Sequence, residues 1–424
     1  MSAPVTEDYL VDPEPRERCY TVISVDDHLV EPPELFERRE PARFAGRFPR
    51  VIELEQGGTY SRAHSDLPPM TVHEQGRQAW LYEDQVYLQV GLNATVGHKD
   101  HLKLRHEPSS FADMRPGCYD VHARVRDMDI AGIWASVNFP SQITGFAGTV
   151  LSRSADPELG VAVVKAWNDW MYEEWHGAHP DRIVPLGITW LADPGIGAEE
   201  IRRNAARGFT AVSFPEVPHR IGYPPIHDLY WDPVMRACAE TGTVVCLHVG
   251  SSGMTQLPPD GPRFEKNVTL FPALSLMACV EWLWSGVPAR YPDLKIALSE
   301  GGVGWVPMLL DRLDFMLDHA GRTADYEQWV GNRTPSQILT ENFWFCSLDD
   351  PSTLGLLDRI GEDHVMLEVD YPHSDTTWPD TQEALRRGFE TNPGLTTDQI
   401  RKLTYANAAR LFRHPVPEDP AWPL

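Results

Sequence analysis

Eight short runs rich in β-branched and other apolar residues recur along the chain, separated by stretches with helical periodicity. This alternation predicts a parallel sheet with helical crossovers, and eight repeats of it favour an α/β fold of the TIM (β/α)8 barrel type. The predicted strands are 20–26, 133–139, 183–189, 209–214, 243–248, 294–299, 343–347 and 365–370. The predicted helices include 157–175, 198–206, 231–241, 270–284 and 305–317.

One long interval, residues 32–115, interrupts this rhythm. It is polar and holds a single hairpin-like pattern at residues 79–90 in place of a second barrel strand. We interpret it as an insertion in the first βα loop, which lies over the active-site end of a barrel. It is either a lid over the site or a purely stabilising segment. The predicted organisation is an N-terminal tail (1–19), the barrel with its insertion (20–412) and a C-terminal tail (413–424).

The charge of the chain restricts its partners. With 37 Lys and Arg against 61 Asp and Glu, the formal net charge is −24. Nucleic acids and anionic membrane surfaces bind through clustered basic residues, so we expect neither as a partner and expect a small-molecule substrate. The first residues carry no basic, apolar leader, no apolar run is long enough to span a membrane, and six cysteines are scattered without CxxC spacing. These features predict a cytoplasmic protein.

Acids and histidines stand where several predicted strands end, which is where barrel enzymes carry their chemistry. These residues are Asp26, His28, His248, Glu300, Asp370 and, close behind, His373. Three carboxylates and three histidines in one pocket repel each other or titrate unfavourably without a cation, so we expect a bound metal. Any one of them alone has a structural alternative, as a helix cap, a core histidine or an Asx turn. The presence of all six residues at the same end of the barrel favours a bound metal.

The positions Asp26, His28, His248 and Asp370 resemble the metal ligands of the amidohydrolase superfamily. The blocks SVDDHLVEPPELF, VVCLHVGSSG, SEGGVGW and EVDYPHSD extend the resemblance over roughly residues 20 to 412. The branch that looks most similar also contains aminocarboxymuconate semialdehyde decarboxylase and resorcylate decarboxylase. Barrels of this type are commonly dimers, so the resemblance implies a homodimer.

Two positions depart from the family pattern. The decarboxylases of this branch typically carry a histidine acid or base at the strand-six turn, where this chain has Glu300. Dinuclear hydrolases of the wider superfamily often use a carbamylated lysine after strand four, where this chain has Phe214, Pro215 and Glu216. Neither the usual base nor the usual bridging carbamate therefore transfers to this sequence.

An additional carboxylate at the strand-six turn suits iron or manganese, and the donors suffice for two ions. The SEGG and DYPH segments resemble TIM-barrel nonheme diiron monooxygenases. That resemblance implies two iron ions divided among the six residues, O2 as co-substrate, and hydroxylation of a hydrophobic acyl or CoA-linked substrate in secondary metabolism. It gives catalytic roles to Glu300, Asp370 and His373.

Two alternatives stay open. One is a mononuclear zinc or manganese hydrolase or decarboxylase of a carboxylic acid, with Asp370 as base. The other is a barrel that has lost catalysis and serves as a binding subunit. Glu31 and Glu216 are possible additional ligands, although surface or capping roles are the stronger interpretation for both.

Overall fold

The computed structural model describes residues 11–61, 69–89, 91–99, 109–141, 143–254, 257, 261–319, 323 and 325–418. All eight predicted barrel strands are present; the bounds of 343–347 are as predicted, and those of the others differ by a few residues. They are β1 (Ile23–His28), β2 (Ala135–Phe139), β3 (Ile183–Val184 and Leu186–Gly187), β4 (Ala211–Phe214), β5 (Val244–His248), β6 (Ile296–Ser299), β7 (Phe343–Ser347) and β8 (Val365–Leu367).

The strands run parallel, each beside the next in chain order. Pro185, which lacks a backbone donor, separates the two short pieces of β3, one paired with β2 and the other with β4. Backbone hydrogen bonds connect the segment after β8 to β1, from Asp370 N to Asp26 O (2.8 Å) and from His28 N to Tyr371 O (2.6 Å). The sheet is thus the TIM barrel that the strand count predicted.

Alternation along the strands divides the core into an inner and an outer layer. In β5, Val244 and Cys246 belong to the cluster inside the barrel, whereas Val245 and Leu247 pack outward against the helices. The next residue of the inner series is His248, at the carboxyl end of the strand. The alternation that fills the barrel with apolar side chains therefore also directs the His248 side chain into the barrel mouth.

Helices cover the outside of the barrel, and one of them closes its lower end. The inner cluster includes four side chains in or near the last helix, which are Tyr405, Ala408, Leu411 and Phe412. Among the described residues no helix is both long enough and apolar enough to cross a membrane. The α-helices, α1 to α14 in chain order, are Val121–Ala131, Pro157–Trp170, Pro194–Arg207, Asp232–Thr241, Arg263–Thr269, Phe271–Leu283, Val287–Arg290, Val306–His319, Tyr326–Val330, Pro335–Asn342, Leu357–Ile360, Thr381–Glu390, Thr397–Arg401 and Asn407–Phe412.

A β-bulge in β1 sets which acid faces the site. Ser24 pairs with Ser136 and Asp27 with Asn138, so three steps along β1 match two along β2. Strict alternation from Ile23 and Val25 would turn Asp27 into the barrel. The extra residue changes the phase and aims Asp26 at the mouth, while Asp27 accepts a hydrogen bond from Ser24 Oγ (2.8 Å).

The interval 32–115 contributes no barrel strand, because β1 pairs directly with β2. Its described part forms an antiparallel sheet of Arg50–Glu53, Gln78–Tyr82 and Gln85–Leu88, which includes the predicted hairpin, and a smaller pair, Thr59–Tyr60 with Met70–Thr71. The backbone N–H groups of Thr95 and Val96 both donate to the carbonyl of Pro372, at 3.0 and 3.1 Å. The insertion therefore contacts the loop that carries His373.

Both tails, where the structure describes them, rest on the barrel of their own chain. The Arg16 side chain pairs with Asp380, and Arg16 N donates to Ile130 O at 2.8 Å. In the C-terminal tail, Pro415 O accepts a hydrogen bond from Trp134 Nε1 at 3.2 Å. Residues 1–10 and 419–424 of the two predicted tails lie outside the described residues.

Close packing of α3 against the barrel gives a direct test of this arrangement. A Cβ added to Gly197 would lie 2.6 Å from the carbonyl oxygen of Trp190 and 2.9 Å from Thr189 Oγ1. We expect Gly197→Ala to lower the free energy of unfolding by roughly 1–3 kcal/mol, because the clash is with backbone and outweighs the better helix propensity of alanine. Urea unfolding measures the change. Gly394→Ala, in open space, is the control, and equal stability of both variants would contradict the packing.

Candidate metal centre

The six residues singled out in the sequence meet at the carboxyl end of the barrel. His28 Nε2 lies 2.9 Å from His248 Nε2, and each of these nitrogens is 3.5 Å from Asp26 Oδ1. Asp370 Oδ1 is 3.3 Å from His28 Nε2, and Glu300 Oε2 is 3.5 Å from His248 Nε2. His373 completes the cluster, with its ring stacked on that of His28 (centroids 3.9 Å apart).

A hydrogen bond orients His248 as a ligand, and burial keeps all three imidazoles of the cluster neutral. His248 Nδ1 is 2.7 Å from the carbonyl oxygen of Val249, an acceptor, so the proton of His248 belongs on Nδ1 and the lone pair on Nε2. Burial lowers the pKa of His28, lowers that of His248 to about 3 and lowers that of His373 to about 4. The three rings are therefore neutral at physiological pH, the form in which histidine binds metals.

The carboxylates of the cluster lack partners. Both side-chain oxygens of Asp26 and of Asp370 are buried without a hydrogen bond in the described part of the protein. Burial, together with the neighbouring acids, raises the pKa of Asp26, Asp370 and Glu300 well above that of a solvated carboxyl. Unpaired buried carboxylates are costly, and a divalent cation is the partner that would satisfy all of these oxygens together.

The donor set fits such a cation. Three groups of side chains each bring one ligand atom apiece within 4.8 Å of one another: Asp26 with His28 and His248, His28 with Asp370 and His373, and Glu300 with Asp370 and Asp375. Mixed imidazole and carboxylate ligands suit zinc, manganese and iron. The groups share His28 and Asp370, so the donors form one continuous constellation.

Left-handed backbone turns two of the acids inward. Glu300 (φ +60°) and Asp370 (φ +56°) adopt a conformation that side chains other than glycine rarely take. Asp370 N donates to Asp26 O (2.8 Å), and Glu300 N donates to Glu368 Oε2 (3.0 Å). Sterically disfavoured backbone of this kind persists where its surroundings fix it, and here it follows the ends of β6 and β8.

A second network, built around two arginines, supports the cluster from below. The buried Arg124 guanidinium donates to the His28 carbonyl and lies over the ring of Tyr371 (4.1 Å). The Tyr371 hydroxyl donates to Asp127 Oδ2 (2.5 Å), and Arg115 binds both oxygens of Asp127 (2.8 and 2.7 Å). These ion pairs and hydrogen bonds hold β1, α1 and the loop after β8 together.

An aromatic wall and two further acids complete the site, and the sequence interpretation missed all four residues. The rings of Phe139 and Phe146 lie 5.0 and 5.1 Å from that of His248, between centroids. Asp375 joins a donor group, and Glu368 contacts Glu300. Glu368 stands just beyond β8, two residues before the left-handed Asp370, where strand alternation no longer sets side-chain direction.

Surface roles for Glu31 and Glu216 are wrong, because both side chains are buried. Glu31 accepts hydrogen bonds from Ser141 N and Trp167 Nε1, both at 3.1 Å, and belongs to none of the donor groups found among the described residues. Glu216 lies near enough to raise the pKa of Glu300, and burial raises its own pKa to about 8. Glu31 is therefore a hydrogen-bonded core residue, and Glu216 borders the site.

The sequence of this barrel matches the amidohydrolase family model (Amidohydro_2) over residues 147–414. The chain belongs to the amidohydrolase family. This amidohydrolase is 21% identical over 277 residues to 2-amino-3-carboxymuconate-6-semialdehyde decarboxylase of Dictyostelium discoideum. The matched segment covers 64% of this chain and 71% of that protein. The chain is thus a metal-dependent enzyme of the amidohydrolase superfamily.

Solved structures show the same fold. An amidohydrolase from Mycobacterium avium subsp. paratuberculosis K-10 superposes with a TM-score of 0.66 at 23% identity, over 93% of this chain and 99% of its own. A 5-carboxyvanillate decarboxylase from Novosphingobium aromaticivorans, with bound manganese, superposes with a TM-score of 0.61 at 18% identity, over 95% of this chain and 100% of its own. At these sequence identities, the similarity shows only that the proteins share a fold.

The network below the cluster predicts a large stability difference between two arginines. We expect Arg115→Met to lower the free energy of unfolding by roughly 3–5 kcal/mol, because it leaves the Asp127 carboxylate, 4% exposed, without its cation. Arg202→Met removes the exposed ion pair with Glu240 and is the control, with an expected loss of less than about 1 kcal/mol. Chemical denaturation of both variants measures the difference, and similar losses would refute a supporting role for the network.

Proposed function

We propose that this amidohydrolase is a decarboxylase of an organic carboxylic acid, with one manganese or zinc ion held by Asp26, His28 and His248 and flanked by Glu300. The observation that carries the proposal is the 2.9 Å separation of His28 Nε2 and His248 Nε2 beside the unpartnered oxygens of Asp26. Two nitrogens bound about 2.1 Å from one ion, at right-angled or tetrahedral positions, lie about 3.0–3.4 Å apart. The two rings are therefore close to the spacing that a shared ion requires.

The names of the relatives support the same chemistry. The Dictyostelium relative is named as a decarboxylase, and the Novosphingobium structure is a decarboxylase with bound manganese. Ligand types also agree, because manganese and zinc both accept imidazole and carboxylate donors. A small carboxylic acid is accordingly the substrate class that we propose.

When bound, the ion would supply a Lewis acid for the oxygens of the substrate. Asp370 and His373 form the proposed acid–base pair, because Oδ1 and Nδ1 lie 2.9 Å apart, a distance across which a proton can pass. As the bond from the substrate carbon to its carboxylate breaks, the electron pair stays on that carbon and CO2 leaves. The proton of the Asp370–His373 pair then goes to the same carbon, so the pair must be reprotonated from solvent.

Phe139 and Phe146 provide the apolar side of the pocket. Their rings face the imidazoles of both His28 and His248, with centroids 5.0–5.8 Å away. A substrate bound through its carboxylate would direct its organic part along these rings, which exclude water from the reacting carbon.

Metal content tests the proposal first. We expect close to one manganese or zinc ion per chain by elemental analysis. Asp26→Asn and His248→Ala should each weaken Mn2+ binding by more than about 100-fold, beyond the effect of typical outer-shell changes, because each removes a ligand. His122→Ala, at an exposed histidine paired with His179, is the control and should bind Mn2+ as the unsubstituted protein does. Full metal binding by both ligand variants would contradict the proposed centre.

Activity gives an independent test. With a panel of aromatic and unsaturated carboxylic acids, CO2 release should require metal and proceed without oxygen. His373→Ala should lower kcat by about 10²–10⁴-fold while keeping its metal, because it removes the proton carrier and spares the proposed ligands. Loss of metal together with activity would instead make His373 a ligand.

A dinuclear iron monooxygenase is the second candidate, and the overlap of the three donor groups favours it. Asp370 belongs both to the group containing His28 and to the group containing Glu300 and Asp375, so these residues together would hold two ions that activate oxygen. In this candidate the substrate would be a hydrophobic acyl or CoA-linked molecule. Two iron ions per chain, with oxygen consumption and no CO2 release, would favour it over the decarboxylase.

A further inference from the structure

Glu300 occupies its place beside the proposed ion only through an unusual backbone conformation. Its φ of +60° is left-handed, and Gly302 two residues later is left-handed as well (φ +59°). Between them, Gly301 packs so closely on α6 that an added Cβ would lie 2.2 Å from Ser275 Oγ. From this turn the Glu300 carboxylate reaches to 3.5 Å from His248 Nε2. A relaxed backbone at residue 300 would send the side chain in another direction.

One side chain from another strand binds the backbone of this turn. Glu368, just beyond β8, accepts a hydrogen bond at Oε2 from the backbone N–H of Glu300 (3.0 Å). β6 and β8 are not neighbours, since β7 lies between them, so the contact passes across a whole strand. The Glu368 side chain is nearly inaccessible, with the residue 4% exposed, and its backbone N–H is fixed by Ser347 O (3.1 Å).

Glu368 does not belong to the ligand constellation itself. Among the described residues, the donor groups contain Glu300, Asp370 and Asp375 but not Glu368. Its hydrogen bond to the site is with the backbone of Glu300, and its charge also contributes to the raised pKa of Asp26. A buried carboxylate on an N–H donor of a strained turn is the arrangement expected of a positioning group.

We propose that Glu368 is a positioning residue for the metal centre: it accepts the Glu300 N–H and so keeps Glu300 in the left-handed conformation that directs its carboxylate at the ion. The inference rests on the proposed metal centre. It requires only a hydrogen-bond acceptor at residue 368, and it assigns the effect of that residue entirely to Glu300.

Four variants separate this role from the alternatives. Glu368→Met has similar volume and no amide or carboxylate acceptor, whereas Glu368→Gln keeps an acceptor oxygen and removes the charge. Glu300→Ala removes the positioned carboxylate, and the double variant Glu300→Ala/Glu368→Met tests whether the two residues act as one unit. Glu31→Gln alters a buried carboxylate outside the donor groups and is the control.

The measurement is the Kd for Mn2+ of the metal-stripped full chain, by calorimetric titration, with thermal unfolding of each variant to verify folding. We expect Glu300→Ala and Glu368→Met each to weaken binding by about 10- to 100-fold. Glu368→Gln and Glu31→Gln should stay within about threefold of the unsubstituted protein, and the double variant should bind no more weakly than Glu300→Ala alone. Should Glu368→Met not fold, the crystal structure and Kd of Glu368→Gln decide, since its amide must still accept the Glu300 N–H.

Each contrary result has a distinct meaning. Equal weakening by Glu368→Gln and Glu368→Met would overturn the inference in favour of a purely electrostatic role for Glu368. Additive losses in the double variant would overturn it in favour of an independent contribution, and unchanged binding by Glu368→Met would overturn it outright. If the unsubstituted chain binds neither Mn2+ nor Zn2+, the proposed metal centre fails and the inference with it, an outcome that the first titration already distinguishes.

Discussion

Buried carboxylates without cationic partners are the constraint on which this structure depends. Asp26 and Asp370 are fully buried at the barrel mouth with no hydrogen bond to their side-chain oxygens among the described residues. The nearby arginines do not relieve them, because Arg115 is engaged by Asp127 and Arg124 by carbonyl oxygens and Tyr371. A protein keeps such groups only if something outside its own side chains compensates them, and a divalent cation among neutral histidines does so.

The barrel supplies the rigidity that this arrangement needs. Parallel strands buried on both faces fix the direction of every side chain, so a residue at a strand end points into the mouth without depending on a mobile loop. Three departures from regular geometry lie at the site: the bulge that selects Asp26 over Asp27, and the left-handed Glu300 and Asp370. Hydrogen bonds fix each departure. Asp27 accepts from Ser24 Oγ within β1, and Asp370 N donates to Asp26 O. Glu300 N donates to the side chain of Glu368, just beyond β8.

Much of this was accessible from the sequence, for identifiable reasons. Apolar runs and helical periodicity predicted the barrel, because both reflect burial, and strand ends predicted the cluster, because a barrel gathers them at one mouth. Features that depend on local backbone were not accessible. The segment SVDDH does not predict a bulge. The role of Glu368 depends on a hydrogen bond to residue 300, nearly seventy positions away in the sequence. Phe146 likewise reaches the site through a left-handed loop residue that periodicity does not predict. The iron ions and oxygen chemistry expected from resemblance gained no support from the relatives, whose names indicate decarboxylases and manganese.

The presence of a divalent ion among these acids and histidines, inside the barrel mouth, can be observed directly. Anomalous diffraction from crystals of the manganese-loaded protein, recorded at the manganese absorption edge, tests it most directly. We expect a single strong peak within about 2.3 Å of His28 Nε2, His248 Nε2 and an oxygen of Asp26. A mouth without anomalous density at full manganese loading, with the metal found only at surface sites such as the His122–His179 pair, would contradict it.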